Sequence, residues 1–301
     1  MVVQIPTVIQ YIGLGCSSAV IIILAILALV DISYVNRVTV RLVAGIAIAD
    51  FIGHVSVILI LDSKEYIGSS YCRGLAAMTT VARIMYALTN VAICYHLYRA
   101  IVYLKKSSFK YELAIWSLLM LFTGIIVVVF HFLGIFNENK DKLLCTPGSD
   151  VFAIQMVENA VAGLLNIVAV FSGIYTTYIG HRYISQWINK YSNKQMPGGN
   201  NQSNFKAKKR KTVQRSFLYP LSTTITLSSE LVTCIWSLFG NPTQIIRTFN
   251  RYTTGFKGIL TFIAFVVDPA VCDSLRSAYR KISLYISESK RVPDEAIELK
   301  G

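Results

Sequence analysis

Histidine is scarce, with four residues in 301, and these fall in separate parts of the chain as His54, His96, His131 and His181. There is no HExxH run, no paired-histidine array and no serine motif of the strand–turn–helix kind. These absences argue against a metalloenzyme or hydrolase, and no cofactor or metal is expected. Acidic residues are also few: 16 Asp and Glu against 29 Lys and Arg leave a formal net charge of +13. Residues 1–7 lack the basic start of a cleaved signal, so the first apolar stretch is expected to be a retained signal anchor. No soluble catalytic unit is expected at either end. The halves of the chain show no internal repeat, which weighs against a transporter built from paired halves.

What the chain has in abundance is long apolar sequence. Seven stretches near 8–30, 40–61, 74–104, 112–136, 152–180, 215–239 and 253–272 approach the ~20 residues that a bilayer core requires. Without water in that core, each must close its own backbone hydrogen bonds as a helix. The expected fold is therefore an all-α membrane protein, a seven-transmembrane helix bundle. An odd number of crossings puts the termini on opposite sides. Twenty-one basic residues fall on the side of loops 1–2, 3–4, 5–6 and the tail, and seven on the other. The positive-inside bias then places the N-terminus outside. Basic loops beside an anionic inner leaflet account for the charge through membrane lipids, without nucleic acid. The bundle is expected over 1–288, with a flexible cytoplasmic loop at 181–214 and a cytoplasmic tail at 289–301. Within that loop Asn201-Gln202-Ser203 matches a glycosylation sequon on the wrong side of the membrane, so it reads as chance.

Four of the six cysteines fall within or at the ends of apolar stretches. Cys72 and Cys145 alone lie on the outer side, where an oxidising compartment permits a bridge pinning loop 4–5 over the bundle mouth.

Ionisable groups inside a membrane are expensive and usually face the bundle interior. Asp50 lies nine residues past Arg41, about 14 Å along a helix, with His54 one turn further on the same face. Asp268 approaches the same inner half from the seventh stretch. Two carboxylates in one low-dielectric cavity would share a proton or hold a cation, which points to a switch between the second and seventh helices. A static polar knot is the alternative. Arg83 lies 11 residues below Cys72, about 16 Å from the rim, and Glu230 and Glu158 reach a comparable height, with Asn166 two turns deeper than Glu158. These groups can form a pocket open to the outside. There Arg83 either binds a carboxylate or phosphate, or pairs internally with Glu230 or Glu158. Tyr86 and Trp236 are further candidates for its lining, or packing residues. Lys257 reads as too close to the outer edge to carry a retinal Schiff base.

Pro220 and Pro269 are expected to kink the sixth and seventh helices near the cytoplasmic side, allowing those ends to swing. Beyond Pro269, Leu275, Tyr279, Ile282 and Ile286 form one apolar stripe with Arg276, Arg280 and Lys281 off it, the pattern of an amphipathic helix in the headgroup region. Cys272 at that interface is a palmitoylation candidate.

Several short motifs resemble those of G-protein-coupled receptors. Gly45-Ile46-Ala47-Ile48-Ala49-Asp50 is similar to the small-residue-plus-aspartate motif of their second helix, and Asp268-Pro269 to their Asn/Asp-Pro motif. Trp116 stands where such receptors commonly carry tryptophan. Tyr219-Pro220 resembles the Tyr-Pro start of the sixth helix in the cAMP-receptor-like and fungal nutrient (glucose)-sensing group. His96-Leu97-Tyr98-Arg99-Ala100 lacks the acid that precedes arginine in rhodopsin-like members. The resemblance implies a plasma-membrane receptor that senses an extracellular small polar ligand, nutrient or nucleotide-like, and activates a heterotrimeric G protein. It implies a switch at Asp50, His54, Tyr219, Pro220, Asp268 and Pro269, and G-protein contacts at Arg99, Lys105, Lys106, Lys211 and Arg215. A seven-helix transporter of a small polar solute is the alternative.

Overall fold

The fold comes from a computed structural model that describes residues 5–61, 67, 69–103, 105, 107–136, 145–149, 151–195, 215, 217–240 and 242–298. Lys106 and Lys211 lie outside these, as does the sequon. Among the described residues the regular structure is entirely helical: α1 (Ile5–Val30), α2 (Val38–Leu61), α3 (Ser70–Ile101), α4 (Phe109–Phe132), α5 (Phe152–Gln195), α6 (Leu218–Phe239), α7 (Gln244–Val267) and α8 (Pro269–Glu298), with a short 3-10 turn at Ile32–Tyr34.

Local chemistry sets several boundaries. Ser69, Ser108 and Thr243 each sit in extended backbone and accept a bond from an amide of the following first turn, the usual N-cap arrangement. α4 ends four residues earlier than its apolar run suggests. Gly134 adopts φ 71°, and the amides of Gly134 and Ile135 close onto the carbonyls of His131 and Phe130, a glycine-dependent C-terminal stop. At the other end of the bundle α5 runs on to Gln195, well into the segment expected as loop.

Two expected kinks take a different form. Pro220 falls in the first turn of α6, where its missing N–H has no helical acceptor to lose, so it starts the helix instead of bending it. α7 stops at Val267, and Pro269 opens α8 with Asp268 before it as a cap: the Val271 amide donates to Asp268 Oδ1 at 3.4 Å. The axes of 244–267 and 271–287 differ by 65°. The expected seventh helix through 272 is thus two helices meeting at the Asp-Pro step.

Around the bundle, α1, α2, α3, α5, α6 and α7 form a closed ring, each packing on the next, and α7 returns to α1. α3 also touches α4 and α6, and α4 stands outside the ring against it. Trp116 of α4 reaches Gly45 of α2, where an added Cβ would lie 2.6 Å from Cη2. The closest approach of a glycine to the backbone of another helix is α7 against α1, where a Cβ on Gly258 would lie 2.3 Å from the Gly13 carbonyl oxygen. Leu42, Ile46, Ile93, Leu227 and Phe265 fill the middle of the ring with no more than 1% exposure.

Among the described residues five helices, α1 to α5, are each long and apolar enough to cross a membrane. α6 and α7 are not as apolar, and burial explains why. The serines and threonines of α6 satisfy their hydroxyls on their own helix, as Thr224 does on Pro220 O at 2.7 Å and Ser228 on Thr224 O at 2.6 Å. α7 carries Lys257 into the ring.

α8 lies against the α1–α2 connection. Ser274 Oγ donates to Tyr34 O at 3.3 Å, and Lys281 Nζ to Asp31 Oδ2 at 2.9 Å. That bond, with the Ser33 amide, holds the Asp31 carboxyl down to about 2, and the Lys281 ammonium is raised in turn. The expected stripe of Leu275, Tyr279, Ile282 and Ile286 is exposed on the adjoining face of α8.

Candidate ligand cavity

A cavity of about 230 Å³ lies inside the ring, in the half nearer the Cys72–Cys145 disulfide, which the structure contains. It is walled by α2, α3, α5, α6 and α7. Facing positions follow from antiparallel packing: Asp50 Oδ2 accepts from Thr261 Oγ1 at 2.8 Å, so His54, one turn on, stands level with Lys257, one turn back. Lys257 Nζ donates to Glu230 Oε1 and sits 4.6 Å over the Tyr86 ring. On the opposite wall Arg83 Nη2 donates to Glu158 Oε1 at 2.9 Å.

Arg83 therefore pairs internally, with Glu158, while Glu230 is taken by a residue that the sequence reading placed elsewhere. Lys257 is only 7% exposed because α7 begins at Gln244 and not near 253, so the lysine lies thirteen residues, roughly 20 Å, inside the helix. Pro242-Thr243 was the available signal, a cap residue just ahead of the first periodic position. Gln10 was missed as well. Its Oε1 lies 2.7 Å from His54 Nδ1 and its Nε2 donates to Arg251 O at 3.4 Å.

Other expected residues fall away from the cavity. Trp236 stands six residues past Glu230, on a different face of α6, and is 47% exposed. Asn166 is buried deeper on α5 beside a minor void that it shares with Arg83. Asp268 does not line the cavity that Asp50 lines: Thr261, bonded to Asp50, precedes Asp268 by seven residues, about 10 Å of helix. Asp268 instead caps α8. Tyr219 is buried at the foot of α6, and its hydroxyl has no hydrogen-bond partner among the described residues.

The far end of the bundle is a separate polar surface. Arg41 makes a two-pronged ion pair with Glu112 and donates to Asn36 Oδ1 at 2.6 Å. Arg99 stacks 3.9 Å over the Tyr111 ring of α4, Lys105 is exposed and Arg215 half-buried.

Residues 77–251 match the profile of DUF7807, a family of unknown function. The chain belongs to that family. The matched span holds Arg83, Glu158 and Glu230, whereas Asp50, His54 and Lys257 lie outside it. None of the curated proteins matches the chain.

Buried polar atoms normally find partners, and three residues of the cavity lining each carry a fully buried side-chain atom that lacks one among the described residues: Asp50 Oδ1, His54 Nε2 and Glu230 Oε2. Each of their residues is at least nine-tenths buried and lines the cavity. Such a chamber, concave and set with fixed charges of both signs, suits binding of a small polar molecule.

Proposed function

We propose that the chain is a seven-helix receptor of the plasma membrane, with its N-terminus outside, that senses an extracellular small polar ligand and activates a heterotrimeric G protein. The observation that carries this reading is the ionic cavity near the disulfide end of the ring. α6 and α7 complete the seven crossings as its more polar members, tolerated because their ions and hydroxyls face the interior. The basic residues gather at the end away from the cavity, which supports the outward-facing placement of the ligand site. Ligand binding there shifts the bundle only if it favours one arrangement of α6 and α7 over another. At the basic end Arg99, on its Tyr111 stack, and Lys105 supply the G-protein-facing charges.

The test is nucleotide exchange on a panel of heterotrimeric G proteins, with the full chain in lipid nanodiscs and an Arg99→Ala variant beside it. Exchange that falls in the variant supports the receptor reading. Solute flux in proteoliposomes, with no nucleotide-free G-protein complex, replaces it with a transporter.

A further inference from the structure

A second opening lies at the basic end of the bundle, away from the ligand cavity. It is a cleft of about 510 Å³ between the start of α2, the end of α3 and the start of α4. We infer that this cleft binds a phosphate monoester, the chemistry of a phosphorylated lipid headgroup or of a free phosphate ester. It shares no residue with the ligand cavity, so it stands or falls apart from the receptor reading.

The cleft holds an unmatched cation. Arg37 and Arg41 line it against one carboxylate, Glu112. Arg41 holds both Glu112 oxygens and donates its remaining nitrogen to Asn36 Oδ1 at 2.6 Å, so that group is closed on itself. Arg37 is exposed and has no partner among the described residues. It also stands directly before α2, where a guanidinium cannot cap as Ser108 caps α4, because it has no acceptor. The amides of Val38, Thr39 and Val40 therefore find no acceptor among the described residues, and the helix start adds its own partial positive charge.

His96 gives an independent sign from a different helix. It lines the same cleft from α3 and is 9% exposed. Its Nδ1 meets Ser107 Oγ at 3.2 Å, while Nε2 has no partner among the described residues and is not one of the fully enclosed unbonded atoms. With Ser107 donating to Nδ1, Nε2 carries the proton and becomes one more unmet donor. The free donors thus come from three sides: the Arg37 fork, the α2 amides and His96. A phosphate monoester brings close to two negative charges and three acceptor oxygens in a tetrahedral spread, which suits them better than the flat pair of oxygens of a carboxylate. Phe109, 79% exposed on the α4 wall, adds an apolar edge of the kind that a lipid's glycerol region would meet.

The experiment is thermal unfolding of the full chain in phosphatidylcholine nanodiscs with four probes. These are glycerol phosphate in solution, a phosphatidylinositol monophosphate in the bilayer, phosphatidylserine in the bilayer at matched charge, and succinate in solution. At least one monoester should raise Tm, and phosphatidylserine and succinate should not. Response to the lipid alone identifies a headgroup site, and response to glycerol phosphate a site filled from the water; both support the inference. In Arg37→Gln the affinity for the monoester should drop at least about tenfold, the loss of one charge-assisted hydrogen bond. Its Tm without probe should match the wild type, since Arg37 is exposed and bonded to none of the described residues. Equal stabilisation by phosphatidylserine or succinate overturns the inference, as does no response to either monoester or wild-type affinity in Arg37→Gln.

Discussion

Lys257→Met is the most informative single perturbation, because the ion pair it breaks is the most enclosed of those described. The side chains of Lys257 and Glu230 are 8% and 9% exposed, against 28% and 8% for Arg83 and Glu158. Removing the lysine leaves the Glu230 carboxylate in the interior with its Oε1 partner gone and Oε2 already without one. Breaking a buried pair from one side costs about 3–5 kcal/mol. At ~2–4 °C per kcal/mol for chains of comparable size, Tm should fall by about 6–20 °C. The double variant Lys257→Met/Glu230→Gln removes the stranded charge and should recover more than half of that loss, since replacing both partners of a buried pair is often near neutral. Thiol-reactive fluorogenic dye reports the unfolding directly, because Cys94 and Cys234 are 1% and 6% exposed and react only once the bundle opens. A Lys257→Met protein that melts with the wild type would refute the assignment of a stabilising buried ion pair. A double variant as unstable as the single one would show that packing, and not charge, sets the cost.

Gly258→Ala should cost about 1–3 kcal/mol in the same melt, because its Cβ would meet the Gly13 carbonyl oxygen at 2.3 Å and backbone cannot yield as a side chain does. Gly15→Ala, with nothing within 4 Å of its added Cβ, should be neutral or stabilising by up to ~1 kcal/mol. Pro220→Ala should change stability by less than about 1 kcal/mol, since a first-turn proline bends nothing; a large change in stability or in spin-label distances across α6 would restore the kink. The Asp31–Lys281 tether should be intact above the ordinary carboxylate value of 3.8 and should fail as pH falls toward about 2, because Asp31 is depressed in the folded state. Lys281 is raised, so the tether should also hold below 10.5 and be lost at higher, strongly alkaline pH. Increased mobility of a spin label at Tyr279→Cys on acidification, reproduced at neutral pH by Asp31→Asn, is the expected signature.

Length, apolar runs and cysteine placement were enough to give an all-helical architecture and the Cys72–Cys145 bridge, because hydropathy and redox compartment act on each segment separately. The amphipathic pattern of α8 was legible for the same reason: periodicity is a local property of the chain. Asp50, His54, Arg83, Glu158 and Glu230 were legible as candidates, since an ionisable residue in an apolar run is conspicuous wherever the helix points. Their partners were not. Whether Arg83 met Glu158 or Glu230 depended on the rotation of α3, α5 and α6 about their axes, which the packing of the ring sets. Lys257 was hidden by a helix start misplaced by nine residues, and Gln10, an uncharged residue near the end of an apolar helix, gave no sign of the histidine that it orients. Trp236 looked like a lining residue by depth alone and proved to face outward.

Sequence by itself determined what each helix is made of and where its expensive groups lie along it. Only the tertiary structure decided which of those groups face one another, because facing is set by the closure of α7 onto α1 through Gly13, Gly255 and Gly258, contacts between residues more than 240 positions apart. That closure turns Thr261 toward Asp50 and Lys257 toward Glu230.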